Sequence, residues 1–333
     1  MKIPTARKLP SGSWTVRVRV NGKDISITRD TEKECIAEAV AVKAGGKRMV
    51  SGRKTLREAI DDYIAIRENV LSPSTIRGYK KIRNNQFQQA MMWDVNHTPQ
   101  EKWQSAINLE AKKVSSKTLK NAWGFVSSAI HEATGIRYEC RLPQVVSEER
   151  NYLTHEEIPI FVEAIKGTKV EVAALLALSS LRRSEIMSVK WDDIDLKRGV
   201  VTVHGSAVYN SDYKIVHREE NKNKSSRRTV PVFPPLREAM ARADKKGTYV
   251  INNSPSRYSK KIKEICIAAG ITPVTLHGLR HSFASLAYYL QIPEEITRRI
   301  GGWADGATMH KIYTHIAEQD IAREAQAMSD FFG

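Results

Sequence analysis

Apolar and polar residues alternate from Trp14 to Val20, with Trp14, Val16, Val18 and Val20 on one side and Thr15, Arg17 and Arg19 on the other. A period of two predicts a half-buried β-strand. Asn21-Gly22 predicts a type I′ turn into a second strand carrying Ile25 and Ile27, a hairpin with one basic face. Thr31 with Glu34 predicts a capped helix to about Ala44. Gly45-Gly46-Lys47-Arg48 and Ser51-Gly52 then form a flexible basic linker.

Beyond Thr55 the period changes to that of helices. Leu56, Ile60, Tyr63 and Ile64, and later Leu119, Trp123, Val126 and Ile130, predict an all-helical segment to about Ile136. Ser72-Pro73-Ser74 starts one of its helices, which carries Arg77, Lys80, Lys81 and Arg83. Ser115-Ser116-Lys117 starts another, with Lys120. Helix starts of this kind present N–H groups and cations to phosphates, whereas a charge run on a helix is by itself a solvated face. Residues 137–150, with Pro143 and a Ser-Glu-Glu-Arg run, read as a linker.

A third segment opens at Thr154, whose capping box with Glu157 predicts a helix to about Ile165. The apolar run Val170 to Leu181 is broken by Glu171 and falls short of the roughly 20 residues a bilayer needs, so it predicts a buried helix. Short strands are expected around Ile194, at Val200 to His204 and at Arg228 to Val232. Helices are expected near Pro235 to Ala243, Ser256 to Ala269 and Thr275 to Leu290. The expected class is α+β and multidomain. A small β-sheet plus helix module occupies residues 1–50, an all-helical domain 54–140, and a mostly α domain with a small antiparallel sheet 152–333.

Composition agrees with several cores: the chain has 333 residues, 41% of them hydrophobic, and exceeds the length at which single cores stop growing, roughly 250 residues. Charge narrows the partner. Lys and Arg number 53 against 37 Asp and Glu, a net charge of +16, and half of that excess lies in residues 1–60. A polyanion is implied, because basic side chains neutralise phosphates and release condensed counterions. Double-stranded DNA is preferred to a membrane, since no basic amphipathic helix with a bulky apolar face and no lipidation signal is present. Arg17 and Arg19 lie on a strand face that a major groove accepts, and with Arg77, Lys80, Lys117 and Lys120 they are the candidate DNA contacts. Cys35, Cys140 and Cys266 share no metal-binding or disulfide spacing. No secretory or transit signal is readable, so a cytoplasmic location is expected.

Candidate chemistry is confined to the third segment. Arg182 emerges where the apolar helix ends, with Glu185 three residues on; His277 and Arg280 stand at i, i+3, able to reach one anion. Each feature alone is an ordinary helix surface. Together, Arg182-Arg183-Ser184-Glu185, Leu276-His277-Gly278-Leu279-Arg280-His281 and Ile312-Tyr313-Thr314-His315, in that order and spacing, resemble the tyrosine recombinase family, most closely integrases of phages and conjugative elements. The likeness covers residues 152–325 in detail and the two preceding segments more loosely, as core-binding and arm-binding domains.

The resemblance implies Tyr313 as nucleophile, Arg182 and Arg280 as clamps on the phosphate, and His277 as a hydrogen-bonding partner able to accept the tyrosine proton. Two guanidiniums suit an attacking phenol of pKa near 10 and a developing phosphorane. It implies a lysine on a turn between strands as general acid. Lys222 fits best, with Lys224 as the rival. Two positions depart from the common pattern: Ser179-Ser180 replaces Thr-Gly, a small-for-small change, and Trp303 stands where many members have histidine, as in one subgroup. An indole N–H donates to a phosphate oxygen, or the ring is simply packed. Trp303 to Tyr313 is one residue longer than expected, which predicts a bulge at Ala304 to Ala307. Glu185 is expected to orient the lysine or histidine side of the site, and His281 to point elsewhere.

A recombinase of this kind integrates and excises a mobile element such as a prophage through a 3′-phosphotyrosyl bond. It needs no cofactor or metal and works as a homotetramer on paired core and arm sites in the bacterial cytoplasm. An excisionase or a host DNA-bending protein is a further expected partner. The rivals are a type IB topoisomerase and a catalytically silent DNA-binding regulator. The apolar stripe Ile316, Ile321, Ala325, Met328, Phe331 and Phe332 predicts a C-terminal helix that docks on a neighbouring protomer.

Overall fold

The structure, a computed structural model, describes residues 5–20, 23–43, 53–146, 151–218, 227–251, 255–303, 325 and 328–332. It divides into two compact units, Met1–Ser147 and Glu148–Gly333.

In the first unit β1 (Arg7–Lys8), β2 (Trp14–Val20) and β3 (Lys23–Arg29) form an antiparallel sheet in that order, followed by α1 (Glu32–Lys43). Thr31 caps α1 by accepting from the Glu34 N–H at 3.3 Å. Val16, Val18 and Ile27 bury one sheet face with Cys35, Ala39 and Val42 of α1. Strand alternation leaves Arg17 and Arg19 exposed on the other, in register with Ser26 and Asp24. Asn21 and Gly22 lie outside the described residues.

Four helices follow: α2 (Leu56–Arg67), α3 (Pro73–Asn85), α4 (Gln100–Ala111) and α5 (Ser116–Thr134). Thr55 and Glu58 close a full capping box on α2, and Ser115 caps α5. Leu56, Ile60, Leu119, Trp123, Val126 and Ile130 share one core with Trp103, as the 3.6-residue period requires.

The second unit holds α6 (Glu157–Ile165), α7 (Glu171–Leu178), α8 (Arg183–Ile186), β4 (Ile194–Asp195), β5 (Val200–Val203), β6 (Ser206–Tyr209), β7 (Ile215–Arg218), β8 (Arg228–Pro231), α9 (Pro234–Arg242), α10 (Pro255–Ala268), α11 (Leu276–Tyr289) and α12 (Glu294–Gly301). Strands β4, β5 and β8 form an antiparallel sheet in that order, and β6 pairs with β7 in a separate hairpin. That hairpin and α12 are additions to the sequence expectation. Ser206, Ala207, Val208 and Tyr209 alternate too weakly in polarity to register as a strand. Helix α7 is buried along Ala173 to Leu178, and its core includes Leu276 and Leu279 of α11. It ends three residues before the expected Leu181, because Ser180 takes a left-handed φ of 80°.

Candidate active site

The turn after α7 creates the site. A side chain at positive φ costs on the order of 1 kcal/mol, and here neighbouring contacts hold it. The Ser180 hydroxyl donates to the Ile300 carbonyl at 2.9 Å, and the reversed peptide aims the Ser180 carbonyl at Arg280. Replacing Thr-Gly by Ser-Ser is therefore more than a change between small residues: it places a serine where glycine would be unstrained. The chain then extends through Arg182, and α8 brings Glu185 back onto it. Glu185 accepts from the Arg182 N–H at 2.7 Å and from Arg182 Nη1 at 2.8 Å.

Three guanidiniums meet around this one carboxylate. Arg280, 3% exposed, donates to the carbonyls of Ser180 and, at 2.7 Å, Gly301. Arg182 donates to the Gly302 carbonyl at 2.5 Å and keeps 36% of its side chain exposed. The third, Arg228, was not anticipated. From the first residue of β8 its Nη1 and Nη2 reach the two Glu185 oxygens at 3.0 and 2.9 Å, and its Nε donates to the Ile300 carbonyl at 2.7 Å. A signal existed: on β8, Arg228 shares a face with the buried Val230, so its guanidinium must lie inside. Glu185 thus serves Arg182 and Arg228.

The excess of cations sets the electrostatics. Burial pushes the Glu185 carboxyl up, but the hydrogen bonds and charge of Arg228, with those of Arg182, outweigh it and hold the group below the usual carboxylate range. Burial, and then the Arg182 charge, push Arg280 down to about 9, so it is still a cation at neutral pH. Two arginines in excess over carboxylate, one of them partly exposed, make a ready site for a phosphodiester.

Trp303 covers Arg280, whose guanidinium carbon sits 4.5 Å from the indole centroid, and stacks on Phe283. His277, exposed in the first turn of α11, has the His281 ring edge-on at 4.7 Å. The His281 ring thus lies beside His277, as i, i+4 spacing on a helix allows. Lys222, Lys224, Tyr313 and the expected bulge at Ala304 to Ala307 lie outside the described residues. So does most of the C-terminal stripe, although Met328, Phe331 and Phe332 are exposed on a helix over 328–332. Among the helical-domain candidates, Lys117 and Lys120 are exposed, and Lys80 is engaged by Glu68 at 2.6 Å. Among the described residues no cluster of His, Cys, Asp or Glu is placed to hold a metal, and no helix is long and apolar enough to cross a membrane.

Comparison with known proteins gives this arrangement a family. Residues 151–320, about half of the chain, match the phage integrase family. The chain belongs to that family and is a tyrosine recombinase. It is 24% identical over 263 residues to a XerC-like tyrosine recombinase of Caldanaerobacter subterraneus, covering 66% of this chain and 67% of that one. It is 21% identical to the integrase of Salmonella phage P22 (58% and 51%) and 25% identical to the ICEBs1 integrase of Bacillus subtilis (65% and 66%). The alignments span about half to two thirds of the length of these relatives. In fold the chain resembles the Tn1549 transposon integrase solved with transposon right end DNA (TM-score 0.63, 18% identity, 82% of this chain and all of that one). It also resembles a lambda integrase dimer solved on a COC′ core site (TM-score 0.57, 16% identity, 93% and 94%).

Proposed function

We propose that this chain is a site-specific integrase that cuts and rejoins double-stranded DNA to insert and excise a mobile element such as a prophage. The observation that carries the reading is the convergence of Arg182 and Arg280 beside Trp303, with the Glu185 carboxylate on Arg182 and backbone carbonyls on Arg280. In-line attack by the Tyr313 oxygen forms a 3′-phosphotyrosyl bond while the 5′ oxygen leaves. His277 receives the phenolic proton, and Lys222 supplies one to the departing oxygen. Arg182, Arg280 and the Trp303 indole N–H stabilise the phosphorane. Attack of a partner strand's 5′ hydroxyl reverses the step, so bond energy is retained.

Residues 1–50 serve as an arm-site module, 54–140 as the core-binding domain and 152–333 as the catalytic domain with its docking tail. Four protomers act on two duplexes, aided by an excisionase or a DNA-bending protein, in the bacterial cytoplasm. The test is covalent trapping on a nicked suicide core site. Wild type is expected to form an adduct and Tyr313→Phe to bind the DNA equally well but form none; an adduct with the variant overturns the assignment.

A further inference from the structure

Arg228 has the chemistry of the site, but its charge is paired with a carboxylate, whereas the equally buried Arg280 is bonded to the neutral carbonyls of Ser180 and Gly301. The Arg228 side chain is 6% exposed, and Nε, Nη1 and Nη2 are all committed, two to the Glu185 carboxylate and one to the Ile300 carbonyl, with a longer approach of Nη2 to the Ser180 carbonyl at 3.5 Å. It is therefore spent within the protein and does not offer a clamp to phosphate. What it holds is the group that aims the clamp, because the same Glu185 oxygens receive the Arg182 N–H and Nη1. The site is closely fitted around it: Gly302, at φ 61°, would place a Cβ 3.0 Å from Arg228 Nη1.

We propose that Arg228 is a positioning residue for strand cleavage, acting through Glu185 to hold the Arg182 guanidinium where the scissile phosphate arrives. Resting on the integrase reading above, this adds a residue outside the set that touches DNA. The bidentate pair fixes the carboxylate in plane and position, which a point charge cannot do. With the pair broken, Glu185 loses its fixed place, and the Arg182 guanidinium bonded to it loses its aim.

The experiment measures adduct formation in single turnover on a nicked core site. Two forms of the site are compared, one with an ordinary phosphodiester and one with a methylphosphonate at the scissile position, where a methyl replaces one charged oxygen and lessens the need for Arg182. On the phosphodiester, Arg182→Ala, Arg228→Lys and Glu185→Gln should each lose on the order of 100-fold, the scale of a displaced catalytic group. On the methylphosphonate most of that loss should disappear for all three. Arg228→Lys combined with Glu185→Gln should fall no further than the worse single variant, since both break one link.

A misfolded protein would be slow on both substrates, so equal losses on the two, with wild type forming its adduct, overturn the positioning role alone. Arg228→Lys at the wild-type rate also overturns it. A wild-type chain that forms no Tyr313-dependent adduct overturns the integrase reading and this proposal with it.

Discussion

The Trp303 ring occupies the space a side chain on Gly301 would need: a Cβ there would lie 1.7 Å from Trp303 Cζ3. Glycine at 301 is what lets the indole fold back over Arg280. Gly301→Ala should expel the ring, uncover Arg280 and slow adduct formation. It should also destabilise the second unit by about 2 kcal/mol or more, through overpacking at a fitted contact. Thermal melting and suicide-substrate kinetics check this. A variant with unchanged melting and rate would mean that the ring has an alternative seat.

Glu185 sets an acid limit. Its carboxyl titrates below the usual range in the folded chain, so its contribution to stability is complete above the unfolded value, about 4.3. It is lost as pH falls through the lower folded value. Glu185→Gln should cost about 3 to 5 kcal/mol at pH 7, because buried Arg228 loses its counter-charge. That difference should shrink as the pH drops below about 4. Urea denaturation of both proteins at neutral and acid pH reads it out; a gap independent of pH would show that the charge is not what matters.

Arg17 and Arg19 stand exposed on the open face of the N-terminal sheet. If both meet phosphates, the double change Arg17→Ala with Arg19→Ala should reduce the log–log salt slope of arm-site binding by about 1.8, at 0.9 for each contact. Core-site binding should be untouched. Filter binding across a salt series measures both, and an unchanged arm-site slope removes these arginines from the interface.

Much of the local structure was legible in the sequence because one periodic signal decided it. Val16 and Val18 went in and Arg17 and Arg19 out by alternation alone, and Thr55, Ser115 and Thr275 mark helix starts by hydroxyls that cap the next N–H groups. At the site, Arg182 and Arg280 stood out by spacing. The pairing of Glu185 with Arg228, 43 residues apart, depends on how α8 and β8 pack, which no local pattern encodes. The left-handed turn at Ser180 was hidden for a related reason. Serine has no local preference for that conformation, and contacts from Ile300 and Arg280 impose it. The β6–β7 hairpin escaped because neither strand buries a clear apolar face.

The carbonyls that receive the three guanidiniums come from two stretches of chain: Ser180 at one end, and Ile300, Gly301 and Gly302 at the other. During synthesis on the ribosome the three arginines and Glu185 emerge before the carbonyls of Ile300, Gly301 and Gly302. The pocket cannot close until the chain has been translated past Gly302, and the expected nucleophile at 313 follows later still. By then the N-terminal sheet and the four-helix core are complete. On the domain roles proposed above, a chain growing from its N-terminus would acquire affinity for DNA before it could break a strand, and an interrupted product would occupy a site without nicking it.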